Sequence, residues 1–258
     1  MKKLFALILA LALICACAAG FAEEEKPLAG QTLTIAMSPD FMYFETVSET
    51  DETGYEGLDI DIIKSLSATL GFDFEISPMS FSSLIGALQT GNADFVISGL
   101  SKNAEREKVV DFSIEYAETD FGVVVPVDSD ISDFDGLKGK TICCSQGANQ
   151  ESLITGELEG TLVTYQGQSA VGLAVAQQSD GVQAGITSIN GAKKLSNEVV
   201  DNDGNPMLKY FVLEYDGISD IYNIAFPKGS DLLPLFDEAL QNMKDSGELD
   251  ELINKWLY

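Results

Sequence analysis

Between Gln31 and Ile97 the sequence alternates between short β-branched or aromatic runs and longer stretches of helical spacing, and this alternation constrains the fold class most. Gln31–Met37 (QTLTIAM) reads as a strand. Gly57-Leu58-Asp59-Ile60-Asp61 opens a helix to Leu70, with Asp59 as its N-cap and Ile62, Ile63, Leu66 and Leu70 on one apolar face. Gly71 stops it, and Phe72–Ile76 (FDFEI) returns as a strand. Ser82 or Ser83 caps a second helix that buries Leu84, Ile85 and Leu88, Gly91 ends it, and Asp94–Ile97 is a third strand. Strand–helix–strand–helix–strand within about 70 residues is the signature of right-handed βαβ units and a parallel sheet. Ligands of such sheets sit beyond the carboxyl ends of the strands. Ser38–Phe41, Phe81 and Ser98–Ser101 all fall at or just past strand ends, so these loops are expected to converge on one site.

The third strand runs into Ser98-Gly99-Leu100-Ser101-Lys102-Asn103-Ala104-Glu105-Arg106. Small and hydroxylic residues are followed by a predicted helix start, with Asn103 as N-cap and Glu105-Arg106 in the first turn. A turn with free N–H groups, a helix N-terminus and one guanidinium fork together make a carboxylate receptor. The plainer alternative is a strand–turn–helix connection whose Arg106 is only solvated.

A second pattern of the same kind begins after the strand Phe121–Val127. Strands are expected at 141–144, 161–165 and 182–186, with a weak helix after Gln150 and another around Ala170–Gln177. Asp201-Asn202-Asp203-Gly204-Asn205-Pro206 reads as a hairpin loop. It lacks the downstream Glu of a calcium loop and is therefore structural. Ile221–Phe226 is a further strand, and Leu232–Tyr258 is helical, broken by Asp245-Ser246-Gly247, with Trp256 read as core packing.

The 258 residues suit one large domain or two ordinary ones. Residues 1–22 read as an export signal, with Lys2 and Lys3, an apolar run from Leu4 to Ile14, and small residues thereafter. Gly20-Phe21-Ala22 before Glu23 fits a cleavage site that releases the protein, whereas Ile14-Cys15-Ala16-Cys17 resembles a lipobox that would anchor it through Cys17. Residues 23–30 are expected to be a flexible leader. The net charge of −26, which becomes −28 on loss of Lys2 and Lys3, disfavours nucleic acid and anionic membrane as partners. With no histidine, the commonest general base and the usual zinc ligands are missing. Cys143 and Cys144 are adjacent in an apolar strand and are expected to be buried, inert thiols. Neither a metal site nor a cofactor follows.

In its order of motifs the chain resembles the extracellular solute-binding proteins of amino-acid ABC importers, from about residue 31 to 258. The resemblance rests on Gly57-Leu58-Asp59-Ile60-Asp61-Ile62, Leu88-Gln89-Thr90-Gly91-Asn92-Ala93-Asp94, Ser98–Ser101 with Glu105-Arg106 and Val110–Ser113, Leu137–Thr141, Gln146-Gly147, and Lys255-Trp256. It implies an α/β fold of two lobes, each a mostly parallel sheet flanked by helices. Two crossing strands would join them, with the ligand cleft between. Lobe 1 would be 31–121 plus 226–258, and lobe 2 the inserted 122–225. It further implies that Arg106 grips a ligand carboxylate, that Ser98, Gly99 and Ser101 contact the amino group or carboxylate, and that Phe41 and Phe81 sandwich the side chain. Ser38, Asn103, Asn149, Gln150 and Ser188 complete the expected set.

Three departures from the resemblance stand out. Asn103-Ala104 replaces Thr-Pro, and Gly147-Ala148-Asn149 replaces a hydroxylic turn. Ser188, or Thr187 with a slip of one, stands where the family carries an Asp for the α-ammonium. Loss of that charge-assisted bond removes about 1.5–3 kcal/mol. Either another acid substitutes, or the ligand lacks a normal α-ammonium.

The function these features imply is capture of a small carboxylate-bearing solute, an amino acid foremost, for delivery to ABC permease subunits. The protein would be a monomer and not an enzyme. The alternative is a secreted dehydratase-like enzyme on the same fold acting on a cyclic carboxylic acid. That activity needs a cleft acid, for which Asp59, Asp61 and Asp111 lie near the motifs. A stand-alone sensor domain is a third reading, disfavoured because no signalling module accompanies it.

Overall fold

A computed structural model describes residues 26–215 and 219–258. The expected signal at 1–22, its two cysteines and the first residues of the leader lie outside that range. In chain order the elements are β1 (Thr32–Met37), β2 (Asp40–Phe41), β3 (Glu45–Val47), β4 (Tyr55–Glu56), α1 (Leu58–Leu70), β5 (Asp73–Pro78), α2 (Leu84–Gln89), β6 (Phe95–Val96) and β7 (Val110–Thr119). Then follow β8 (Phe121–Pro126), α3 (Phe134–Leu137), β9 (Thr141–Ser145), α4 (Gln150–Thr155), β10 (Thr161–Tyr165), α5 (Gln168–Gln177), β11 (Ala184–Ser188), α6 (Ile189–Glu198) and β12 (Leu208–Val212). The chain closes with β13 (Asp220–Pro227), α7 (Leu232–Ser246) and α8 (Glu248–Leu257).

These strands form two five-stranded sheets, ordered β5-β1-β6-β13-β7 and β10-β9-β11-β8-β12, plus a small β2-β3-β4 sheet. In the first, β1 runs parallel to β5 and β6, and only β13 is reversed. In the second, β9 runs parallel to β10 and β11, and only β8 is reversed. The fold is thus the expected pair of mostly parallel sheets flanked by helices. The chain first crosses between sheets at Asp120, joining β7 to β8, and enters the first sheet again with β13, paired with β7 from Asp220 onward.

Apolar side chains alternate onto both faces of each sheet, as parallel strands buried on two sides require. On one face of the first sheet α1, α7 and α8 cover Ile35, Phe72, Phe95 and Phe226, and on the other α2 covers Ala36 and Val96. In the second sheet Cys143 packs with Val171, Val175 and Leu195, whereas Cys144 packs with Leu153 and Ile154 on the opposite face. Successive strand residues point to opposite faces. The two thiols therefore face apart, and burial pushes Cys143 up to about 12.

Several local expectations are corrected. The helix start predicted at Asn103 is a single 3-10 turn, Arg106–Lys108, with Asn103 Oδ1 accepting from the N–H groups of Glu105 (3.0 Å) and Arg106 (2.8 Å). The helix-dipole contribution imagined there is accordingly absent. Asp59 is not an N-cap, because Gly57 holds that position and Asp59 turns inward, fully buried. The leader is bound from Leu28 on: its side chain is buried and its N–H donates to Leu70 O (2.9 Å). Val110–Ser113, which carried part of the resemblance, begins the ten-residue strand β7. Asp111 there accepts from Lys228 Nζ (2.6 Å) and Gly229 N (2.7 Å).

Gly57 adopts φ 138°, and a Cβ on it would lie 2.1 Å from Phe44 O. That backbone approach sets the entry of α1, through bonds from Leu58 N to Tyr43 O and from Asp59 N to Phe44 O. Gly54 also has positive φ but nothing within 4 Å. Thermal melts are expected to show G57A lowered by several degrees more than G54A, since it adds a backbone clash to a strained φ. Equal melting of the two variants would contradict this role.

Candidate ligand-binding cleft

Where the carboxyl ends of the parallel strands of both sheets face each other, the structure opens a cleft lined from both sides. The first sheet contributes Ser38, Asp40 and Phe41 after β1, Phe81 after β5, and Gly99, Ser101 and Arg106 after β6. The second contributes Ser145, Ala148, Asn149 and Gln150 after β9, Gly167 and Gln168 after β10, and Ile186, Thr187 and Ser188 on β11. Asp220, the first residue of β13, closes the lining.

Nine of the eleven residues singled out from sequence therefore meet here. Ser98 and Asn103 do not line the cleft but position residues that do. Ser98 is buried, and its Oγ accepts from Ser38 N (2.9 Å) and donates to Glu45 Oε1 (2.5 Å). Asn103 donates from Nδ2 to Asn149 Oδ1 (2.7 Å) across the cleft. Ser188 lines the cleft, but its hydroxyl is committed as the N-cap of α6, accepting from Gly191 N (3.1 Å). Thr187, the alternative to Ser188 under a slip of one, also lines the cleft. Sequence reasoning missed Asp40, Ser145, Ala148, Gly167, Gln168, Ile186 and Asp220.

The binding turn rests on two fully buried acids, Glu45 and Asp59. Asp59 Oδ2 accepts from Gly99 N (2.9 Å), while Glu45 Oε1 holds Ser98. The two carboxyl groups interact with each other, and Asp59 also with the Tyr116 hydroxyl; outside this cluster Glu45 Oε2 and Asp59 Oδ1 have no partner. Two carboxylates out of water cannot both ionise, so the pair keeps one proton. Burial first, and then the neighbouring Asp59, raise Glu45 well above the usual carboxylate range. Gly99 itself has φ 50°, and a Cβ there would fall 2.0 Å from Phe41 Cε1. Phe41 in turn stacks on Phe44 at 4.3 Å.

Arg106 is 9% exposed. Its guanidinium donates to Ser101 O and, across the cleft, to Gly147 O (2.7 Å), and it lies 5.5 Å from the Phe81 ring centre. Burial lowers it to about 10, with Asp220 and Glu151 opposing the shift, so it stays cationic at neutral pH. Asp220 is buried beneath Ser101, whose hydroxyl donates to it. Gln150 Nε2 and the Tyr222 hydroxyl each donate from 3.3 Å. Burial raises Asp220 to about 6 against these bonds. Asp40 is also raised by burial, while Ser38 Oγ (3.4 Å) and the Gln168 N–H oppose the shift. Gln168 Oε1 and Thr187 Oγ1 are buried acceptors without a partner.

A family model for bacterial extracellular solute-binding proteins, family 3, matches residues 33–258. The chain is 31% identical to the arginine-binding extracellular protein ArtP of Bacillus subtilis (strain 168) over 262 residues, covering 99% of this chain and 98% of that one. Among solved structures, an ancestral arginine-binding protein bound to arginine superimposes with a TM-score of 0.76 at 30% identity, covering 88% of this chain and 98% of the other. An ancestral amino acid-binding protein that is a precursor of cyclohexadienyl dehydratase gives 0.75 at 27% identity, covering 88% and 96%.

The acid pair has a consequence for pH. Above about pH 4.5 an unfolded Glu has lost the proton that the folded pair retains. The folded state then binds more protons, and stability falls as pH rises from there through the raised folded value. E45Q supplies a permanent N–H donor to Asp59 without a proton. Its urea-unfolding free energy is expected to fall less steeply than that of the wild type between pH 4.5 and 8. A slope equal to the wild type's would contradict proton sharing.

Proposed function

The chain belongs to the bacterial extracellular solute-binding proteins, family 3, and from that premise we propose that it captures an amino acid in the cleft and delivers it to the membrane subunits of an ABC-type permease. The observation that carries this reading is Arg106, a buried cation on the cleft wall beside the Phe81 ring. Two of its N–H groups go to carbonyls, and a guanidinium has five donors. The remainder suit a carboxylate, for which the planar fork is the matching receptor. Phe41 and Phe81 offer faces to the rest of the ligand, with Ser38, Gly99, Ser101, Asn149, Gln150 and Ser188 around it. Ser98 and Asn103 act by holding the turn.

The lobes of this proposal follow the two sheets, divided as 31–121 and 122–225 by resemblance. Lobe 1 is completed by 226–258 on the same resemblance, and β13, which pairs with β7, leads the chain back to it. They close by hinging at the crossings, as binding proteins do around ligands. The bonds from Arg106 to Gly147 and from Asn103 to Asn149 belong to the closed form. Export, by free release or with a lipid anchor on Cys17, action as a monomer and the absence of turnover complete the reading. The acids singled out from sequence for the dehydratase alternative are committed elsewhere: Asp59 to Gly99 and Glu45, Asp61 to Lys255 and Trp256, and Asp111 to Lys228.

Thermal-shift measurements over the common amino acids test it. A ligand at 100 times its Kd stabilises by about 2.7 kcal/mol, and a chain of this size gains about 2–4 °C per kcal/mol. The cognate ligand is therefore expected to raise the melting point by about 5–10 °C. R106A should abolish that rise, and should also lower the apo melting point because Ser101 O and Gly147 O lose their donor. A ligand shift that survives in R106A would remove the proposed anchor.

A further inference from the structure

Asp220 is a buried acid in a cleft whose anchoring cation lies elsewhere. Its partners, Ser101, Gln150 and Tyr222, are all neutral donors. Among the described residues no Lys or Arg nitrogen comes within 4.0 Å of its carboxylate; the Arg106 guanidinium is taken by two carbonyls instead. One positive and one negative group therefore face the same small space without pairing. Such an arrangement is electrostatically complementary to a zwitterion, and only in part to a plain carboxylate.

The neutral groups around it point the same way. Thr187 and Gln168 line the cleft, and behind its surface Thr187 Oγ1 and Gln168 Oε1 are buried without a partner; an amide oxygen accepts, and a hydroxyl can accept, from a donor brought to them. An ammonium group brings three donors and no acceptor. Ser188 cannot supply the charge, and its hydroxyl is spent on the cap of α6. Asp40, the other acid of the lining, also borders the neighbouring hollow formed by Pro39, Met79, Ser80 and Gln146, so it sits toward the rim.

We propose that Asp220 receives the ammonium group of the ligand, and so sets the preference of the cleft for amino acids over the same carboxylic acids without an amino group. This rests on the reading of the cleft as an amino-acid receptor. Asp220 does from β13 what the lobe-2 position at Ser188 cannot. The competing role, a distant counter-charge for Arg106, predicts something different: removing Asp220 would then change the affinity for every carboxylate alike.

The test is calorimetric titration of wild type and D220N with two probe pairs, L-arginine against 5-guanidinopentanoate and L-glutamine against 4-carbamoylbutanoate. Wild type is expected to prefer the amino acid of at least one pair by about tenfold or more. In D220N that preference should shrink to within about twofold, with the des-amino acid bound at least as well as by wild type. Burial already penalises the Asp220 charge, so the apo melting point of D220N should not fall. A preference retained in D220N, an equal weakening of both members of a pair, or a D220N that no longer folds overturns the assignment. Wild type binding only the des-amino acids overturns it while leaving the carboxylate anchor in place. Wild type binding none of the four counts against the amino-acid reading itself, and this inference goes with it.

Discussion

Two carboxyl groups sharing a proton beneath the turn after β6 are the constraint on which the cleft depends. Glu45 arrives on the small sheet and Asp59 on the first turn of α1, so their contact ties three pieces of chain to one point. From that point a bond to Gly99 N–H and another to Ser98 fix the turn, and Ser98 in turn fixes Ser38. A buried acid without its partner is costly, whereas a paired one that is fully hydrogen-bonded specifies a single arrangement. Phe41 then rests against Gly99, where no side chain could fit. One face of the cleft is thus rigid before any ligand arrives, which reduces the ordering cost of binding.

The opposite face is attached differently. It meets the turn through a few polar contacts, Arg106 to Gly147, Asn103 to Asn149 and Gln150 to Asp220. Each net contribution is about 0.5–1.5 kcal/mol, and somewhat more for the charged donor. Among the described residues each sheet keeps its own hydrophobic clusters, apart from Met42 and Tyr43, which reach across to pack against the second sheet. The rims can therefore separate without either sheet losing its core. Under the proposed function, occupancy of the cleft would add what the bare contacts lack and so couple closure to the ligand.

The first βαβ units were legible because their apolar period and glycine punctuation are local. So was the convergence of Ser38, Phe41, Phe81 and Arg106, which follows from strand ends in a parallel sheet. What escaped depended on contacts distant in sequence. Asp59 looked like a cap because acids favour helix starts, yet its partner lies 14 residues earlier in β3 and its burial is set by the sheet packing. Ser98 looked like a ligand contact because Gly99 and Ser101 beside it line the cleft, but its own hydroxyl is held by Glu45. Asp220 was invisible as a site residue because nothing in Ser219-Asp220-Ile221 marks it; only the pairing of β13 with β7 carries it to Ser101. The missing charge at Ser188 was legible, and the acid that lines the cleft at Asp220 was not.

The most direct test of this account is a crystal structure of the protein grown with the amino acid that gives the largest thermal shift. The ligand is predicted to lie between Phe41 and Phe81 with its carboxylate within hydrogen-bond distance of the Arg106 guanidinium, and with the Gly99–Asp59 bond intact. A ligand bound outside the cleft, or one inside it whose carboxylate leaves Arg106 untouched, would contradict the account.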